Sequence, residues 1–172
     1  MNIPNILTVL RLFLMPIFVL IFFSGIDNSF IYSILIFFAA GLTDILDGYI
    51  ARKYNLITKL GIVVDPLADK LMLITVLSCL VISNYIPLWV LIIIAAKDIF
   101  MILSGMLLFK NNIIIPSNYV GKISTFLFYL SIFIFVLNSN IGLYFIYIAV
   151  ASSIVSLINY LNIYRKGKNS SI

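Results

Sequence analysis

Histidine and glutamate are absent from this sequence of 172 residues, and Cys79 is its single cysteine. The lack of histidine excludes zinc–histidine sites and histidine bases. A lone cysteine in an apolar run excludes an intramolecular disulfide and a cysteine-based metal motif. Charged residues are also scarce, at 10% of the chain. Every side-chain carboxylate is therefore an aspartate, and any cluster of charge in this chain calls for an explanation.

Apolar residues, by contrast, are abundant: 63% of the chain is hydrophobic and the mean hydropathy is +1.21. Runs of about twenty apolar residues predict membrane-spanning helices. We expect an all-α integral membrane protein with one membrane domain over residues 1–172. The N-terminal run lacks the basic start and small-residue cleavage site of a signal peptide, so we interpret it as a retained first span. The predicted spans are 6–23, 30–52, 60–82, 87–109, 119–137 and 141–164, followed by a frayed polar tail from 165.

The basic residues predict the orientation of these six helices. If the helices alternate, the three connectors on one side contain no Lys or Arg, and Asp27 is their only charge. By the positive-inside rule both termini are then cytoplasmic. The basic excess also suits contact with anionic lipid head groups. The other side carries Arg52, Lys53, Lys59, Lys110, Arg165, Lys166 and Lys168.

Four of the six aspartates fall within residues 43–70, in otherwise apolar surroundings. Carboxylates inside a membrane are costly and are functional candidates by default. Carboxylate oxygens are the preferred ligands of hard divalent cations such as Mg²⁺, Ca²⁺ and Mn²⁺. The stretch therefore predicts an acidic metal site on the cytoplasmic side of the bilayer.

Helical spacing places these residues on two faces. If the two helices meet near their cytoplasmic ends, four carboxylates converge. An alternative interpretation makes Asp65 only a helix N-cap followed by Pro66. The first face carries Asp44, Asp47, Gly48 and Ala51, and the second carries Gly61, Asp65 and Asp69.

The complete spacing is Asp44-x2-Asp47-Gly48-x2-Ala51-Arg52-x8-Gly61-x3-Asp65-x3-Asp69. This pattern resembles, without a departure, the signature of the CDP-alcohol phosphatidyltransferase family. Chain length and the number of spans agree with it as well. The resemblance implies six transmembrane helices in a bacterial inner membrane, usually as a homodimer, with an active site facing the cytoplasm. It implies transfer of a phosphatidyl group from CDP-diacylglycerol to an alcohol, with release of CMP. No nucleic-acid partner is expected.

The same resemblance assigns roles to the residues of the motif. It implies one or two divalent ions, Mg²⁺ or Mn²⁺, bound by Asp44, Asp47, Asp65 and Asp69. Asp69 is also the implied general base. The nucleotide and CDP-diacylglycerol site is implied for Gly48, Ala51, Arg52 and Gly61. An alternative for Arg52 is an anchor on the positive side of the membrane.

A polar stripe at three-residue spacing opens the first helix: Asn5, Thr8 and Arg11. Similar residues open many family members that make phosphatidylglycerophosphate, where they lie near the nucleotide. An alternative makes Asn5 a helix cap and lets the Arg11 side chain reach the membrane interface.

Lys97 and Lys122 are candidates for binding the phosphate of the acceptor, since the family's acceptor pocket uses basic residues on these helices. The alternative for Lys97 is a buried pair with Asp98 that only fixes helix packing. Glycerol 3-phosphate is the expected acceptor, and phosphatidylglycerol, as in the cardiolipin synthases of this fold, is the nearest alternative. From another class, a cation transporter would also use clustered aspartates. Transporters, however, often show internal repeats, and this chain shows none.

Overall fold

Six α-helices and no β-strand make up the part of the chain that the computed structural model describes, as the sequence predicts. Backbone is described for residues 3–54, 59–110 and 119–169, and side chains for residues 6–51, 53–54, 64–65, 67–103 and 121–161. The helices are α1 (Ile3–Phe22), α2 (Ser29–Lys53), α3 (Lys59–Ile82), α4 (Leu88–Lys110), α5 (Tyr119–Leu137) and α6 (Ser139–Asn169).

The predicted bounds of α2 to α5 agree with the structure to within one residue at each end. The last helix differs, since α6 runs from Ser139 to Asn169. The expectation of a frayed tail from residue 165 is therefore wrong as far as Asn169. Lys and Arg residues fill this end of the helix, where cations interact favourably with the negative end of the helix dipole. The helix thus continues beyond its apolar span.

The end of α3 is set by an asparagine in the left-handed conformation. Asn84 has φ 59°, and its N–H donates to the carbonyl of Val81. The next N–H, of Tyr85, donates to the carbonyl of Leu80. This pair of bonds is a Schellman motif, which satisfies the last carbonyls of a helix and reverses the chain. Pro87 follows and cannot continue the helix.

The chain divides into two compact units, Met1–Ile86 and Pro87–Ile172. In the first unit, α1 packs against both α2 and α3. The buried face of α1 has an aromatic half and a polar half. Phe18 and Phe22 stack at a centroid distance of 5.8 Å, whereas Thr8 and Arg11 are the buried polar side chains. The polar half lies toward the N-terminus of α1.

In the second unit, α5 and α6 form a tight helical hairpin broken only at Asn138. The Oδ1 atom of Asn138 accepts a hydrogen bond from the N–H of Ile141 at 3.1 Å, which caps the start of α6. A Cβ atom on Gly142 would lie 2.2 Å from Cα of Phe135. Only glycine therefore permits this close approach of the two helices. The remaining helix, α4, packs against α6, where Trp89 stacks on Tyr147 at 5.4 Å.

Among the described residues, two helical segments are long and apolar enough to cross a membrane: Ser29–Ala51 and Ser139–Leu161, each of 23 residues. Ile6–Phe22 and Gly121–Leu137 are shorter apolar helices. Many large apolar side chains point away from the protein interior along these helices, among them Leu20 and Leu137. Such a surface is stable against lipid and unstable in water. The chain is a membrane protein.

Candidate functional site

The polar half of α1 faces the acidic end of α2. α1 and α2 are joined by a short turn, so the start of α1 lies beside the end of α2. Arg11 is buried there with 1% of its side chain exposed. Its Nη1 atom lies 2.8 Å from Oδ1 of Asp44, and its Nη2 atom lies 2.6 Å from Oδ2 of Asp47. A buried charge is costly unless it is paired, so this arginine and these carboxylates stabilise one another.

The two contacts of Arg11 differ in the exposure of the carboxylate. Nη2 donates a hydrogen bond to Asp47, whose side chain is only 3% exposed. Nη1 forms an ion pair with Asp44 at 2.8 Å. The side chain of Asp44 is 38% exposed. Asp47 is therefore held firmly in the interior, whereas Asp44 remains accessible to a ligand.

The same face of α1 also contacts one acidic residue of α3. The hydroxyl of Thr8 donates a hydrogen bond to Oδ1 of Asp65 at 2.5 Å. Nζ of Lys70 lies 3.7 Å from Oδ2 of Asp69, a part-exposed pair. Asp65 and Asp69 are close enough to Asp44 to interact with it electrostatically. The polar half of α1 thus connects the acidic segments of α2 and α3.

The four carboxylates lie in one region without forming a closed set of ligands. Within residues 6–103, where all four of them are described, no three acidic or cysteine side chains come close enough to hold a metal ion. Arg11 and Thr8 already contact three of the four carboxylates. The assignment of Asp44, Asp47, Asp65 and Asp69 as metal ligands therefore stays a prediction.

The structure decides two of the alternatives for individual residues. Arg11 is buried among carboxylates, so the interpretation that its side chain reaches the membrane interface is wrong. Asp65 lies inside α3, which begins at Lys59, so the interpretation of Asp65 as an N-cap is also wrong. For Arg11, the charged partners in the interior outweigh the tendency of an arginine side chain to reach the membrane interface. For Asp65, the helix begins earlier than the Asp65-Pro66 pair suggests.

The proposed nucleotide residues are described only in part. Gly48 and Ala51 lie half-buried on α2, on the face that carries Asp44 and Asp47. The side-chain positions of Asn5, Arg52 and Gly61 fall outside the described residues. Their predicted roles at the nucleotide site remain predictions.

The two candidate acceptor residues lie in the second unit and differ in environment. Lys97 is buried on α4, and its Nζ atom lies 2.9 Å from Oδ1 of Asp98, which is also buried. The Lys–Asp pair that the alternative interpretation of Lys97 describes is therefore present. Lys122, near the start of α5, is exposed. Removal of one member of a buried pair leaves the other charge uncompensated, so Lys97 has a structural role whether or not it binds a phosphate.

The contact of Arg11 with Asp44 and Asp47 was not predicted from the sequence. The spacing of Asn5, Thr8 and Arg11 identifies the polar stripe but not its partners. A signal was nevertheless available. Arg11 is the only cation in the first apolar run, and the next run carries two carboxylates near its far end. Antiparallel neighbours joined by a short turn bring these positions together, and a buried charge requires a partner.

The fold and the acidic residues agree with the family that the motif suggests, and comparison with known proteins shows that family directly. The sequence model of the family described as CDP-alcohol phosphatidyltransferase matches residues 1–155. The chain belongs to this family, and it is a phosphatidyltransferase of phospholipid biosynthesis.

Three curated relatives carry the name CDP-diacylglycerol–glycerol-3-phosphate 3-phosphatidyltransferase. The protein from Rickettsia felis is 34% identical over 158 residues, which cover 90% of this chain and 84% of the relative. The protein from Wigglesworthia glossinidia brevipalpis is 32% identical over 178 aligned residues, which cover 95% of this chain and 94% of the relative. The protein from Haemophilus influenzae is 44% identical over 89 residues, covering 52% of this chain and 48% of that protein.

Proposed function

We propose that this protein transfers the phosphatidyl group of CDP-diacylglycerol to glycerol 3-phosphate, giving phosphatidylglycerophosphate and CMP. One observation carries the proposal: the full family motif, from Asp44 to Asp69, lies in a chain that aligns over 84–94% of relatives named for this reaction. Three of the motif's aspartates contact Thr8 or Arg11, which belong to the stripe on α1 that is predicted to lie near the nucleotide.

The four carboxylates suit a divalent metal by their chemistry, although no three of these described side chains lie close enough together in the structure to hold one. The ligands would be Asp44, Asp47, Asp65 and Asp69, all of them oxygen donors of the type that Mg²⁺ and Mn²⁺ prefer. Two of these carboxylates already bind a cationic group, since the guanidinium of Arg11 lies 2.8 Å from Asp44 and 2.6 Å from Asp47. When bound, one or two metal ions supply neutralisation of the donor pyrophosphate and alignment of the attacking hydroxyl.

The chain's own residues have separate tasks in this proposal. The acceptor hydroxyl forms a new P–O bond to the phosphatidyl phosphorus while the bond to CMP breaks. Asp69 takes the hydroxyl proton as general base, and being 17% exposed it is open to the approach of substrate. Arg52 is suited to hold a phosphate of the nucleotide by two parallel hydrogen bonds. Lys97 and Lys122 are proposed to bind the acceptor phosphate.

A panel of acceptors tests the proposed reaction. Purified protein in detergent is given labelled CDP-diacylglycerol, Mg²⁺ and one alcohol at a time, and CMP release and the lipid product are measured. We expect product with glycerol 3-phosphate, because its phosphate offers the charge that the two lysines recognise. The reaction without acceptor is the blank.

The outcomes of the panel are distinct. Cardiolipin as product with phosphatidylglycerol as acceptor, and none with glycerol 3-phosphate, would replace the proposed acceptor but keep the enzyme class. If no alcohol in the panel raises CMP release above that of the blank, the result would contradict a transferase of either kind.

We place all six helices across a bacterial inner membrane, with both termini and the acidic site facing the cytoplasm, in contact with anionic lipid. The support is the absence of Lys and Arg from the three connectors of the opposite side and their abundance on this side. A homodimer is proposed from the family resemblance.

Cysteine labelling tests this orientation. Cys79 is buried and is first replaced by serine. Cysteines introduced at Ser29 or Asn140 should then react with an impermeant thiol reagent added to intact cells, because both positions belong to the non-basic side. A cysteine at Asn55 should react only after the cells are opened. The reverse pattern would invert the topology and place the acidic site outside.

A further inference from the structure

We propose that Arg11 competes with the divalent metal for Asp44, and thereby sets how tightly the acidic site binds metal. The inference rests on the proposed metal dependence and goes beyond it, because it gives a cationic side chain of α1 control over metal loading. The observation behind it is the buried guanidinium in contact with two of the four predicted metal ligands.

The exposure of the two carboxylates indicates which of them the metal and Arg11 compete for. Asp47 accepts a hydrogen bond from Nη2 of Arg11, and both side chains are nearly fully buried. Asp44 is paired with Nη1 at 2.8 Å, but its side chain is 38% exposed and open to solvent. A cation arriving from solvent can therefore take Asp44 from Arg11 and leave the bond to Asp47 intact.

Repulsion among the carboxylates explains what Arg11 contributes when no metal is bound. Asp44 interacts unfavourably with Asp65 and Asp69, and like charges that gather in a poorly solvated site destabilise the folded protein. In the metal-free protein Arg11 offsets part of this repulsion. The same positive charge opposes an incoming divalent ion. Arg11 thus stabilises the metal-free site and weakens its affinity for metal.

Metal binding measured without substrate tests the proposal. Mn²⁺ binding to the purified full-length protein is followed by electron paramagnetic resonance for wild type and for Arg11→Met, which keeps an unbranched side chain without charge. We expect binding about tenfold tighter or more, since an adjacent opposite charge changes the affinity of a carboxylate for a cation by at least that factor. The matched control is Lys53→Met, which removes one positive charge from an exposed position of the same unit.

Arg11→Lys provides a second test that does not depend on folding of the methionine variant. One ammonium group cannot contact both carboxylates as the two arms of a guanidinium do. One carboxylate is released to the metal, so Mn²⁺ binding should be tighter than in wild type by a smaller factor.

Unchanged or weaker Mn²⁺ binding in the folded Arg11 variants would overturn the proposal while leaving the metal-dependent function intact. Equal tightening in Lys53→Met would also overturn it, because the effect would then be one of overall charge. If no protein in the series binds Mn²⁺, the proposed metal site itself is wrong, and the inference is lost with it.

Discussion

Asp69→Asn should reduce turnover by about a hundredfold or more, the usual contribution of a general base, while CDP-diacylglycerol still binds. Asparagine keeps the shape of aspartate and one acceptor oxygen but loses its negative charge and basicity. Nζ of Lys70 lies 3.7 Å from Oδ2 of Asp69, a long and part-exposed ion pair. Part-exposed pairs of this length contribute little to stability.

Asp44→Asn should give a different pattern. We expect weaker Mn²⁺ binding and weaker CDP-diacylglycerol binding along with lower turnover, because Asp44 is the accessible carboxylate beside Arg11. One variant loses stabilisation of the transition state, and the other also loses binding in the ground state. Asp27→Asn is the matched control, as it makes the same change on an exposed connector.

The comparison requires donor affinity and turnover for each variant in detergent, with folding verified by thermal unfolding. Near-normal turnover of Asp69→Asn would show that the hydroxyl proton leaves by another route, through a different aspartate or through water. Loss of donor binding in both variants to the same degree would show that Asp69 acts as a ligand alone.

Removal of divalent metal should abolish CMP release entirely. The donor pyrophosphate and the four aspartates are all negative, so without a metal they repel one another. Activity should disappear in excess chelator and return when Mg²⁺ or Mn²⁺ is added above the chelator concentration. Zinc is a poorer match, because the site contains no histidine or cysteine ligand.

A thermal unfolding curve recorded in chelator serves as the control for this experiment. The Arg11 pair should keep the metal-free protein folded, so loss of activity without loss of the unfolding transition is the expected combination. Full activity in excess chelator would remove the metal from the mechanism.

The helices of this protein were predictable because each one combines a long apolar run with a marked end. Polar turn residues separate the runs, and Asn84 and Asn138 sit where the chain reverses or a new helix begins. The length of α6 was not predictable from hydropathy, because its last turns are polar and are helical for a different reason. Hydropathy locates the part of a helix that lies in lipid and gives no information on the part beyond it.

The composition of the candidate site was predictable, but its pairing was not. The motif identifies Asp44, Asp47, Asp65 and Asp69 from their spacing alone. The spacing does not predict which side chains contact the aspartates of α2 and α3, because these contacts depend on which third helix packs against both. In the structure this neighbour is α1, which brings Arg11 to the carboxylates of α2. A single sequence contains the charges but not their distances.

The pairing of Arg11 with Asp47 also bears on how the chain enters the bilayer during synthesis. An arginine or an aspartate costs up to about 2.5–3.5 kcal/mol on insertion, the value for the centre of a membrane helix. α1 alone would carry the first of these charges into lipid and α2 alone the second. Inserted together as a hairpin, the two helices neutralise each other through a 2.6 Å contact. The pair α1–α2, and not the single helix, is therefore the smallest segment of the nascent chain that can leave the translocation channel with Arg11 already paired.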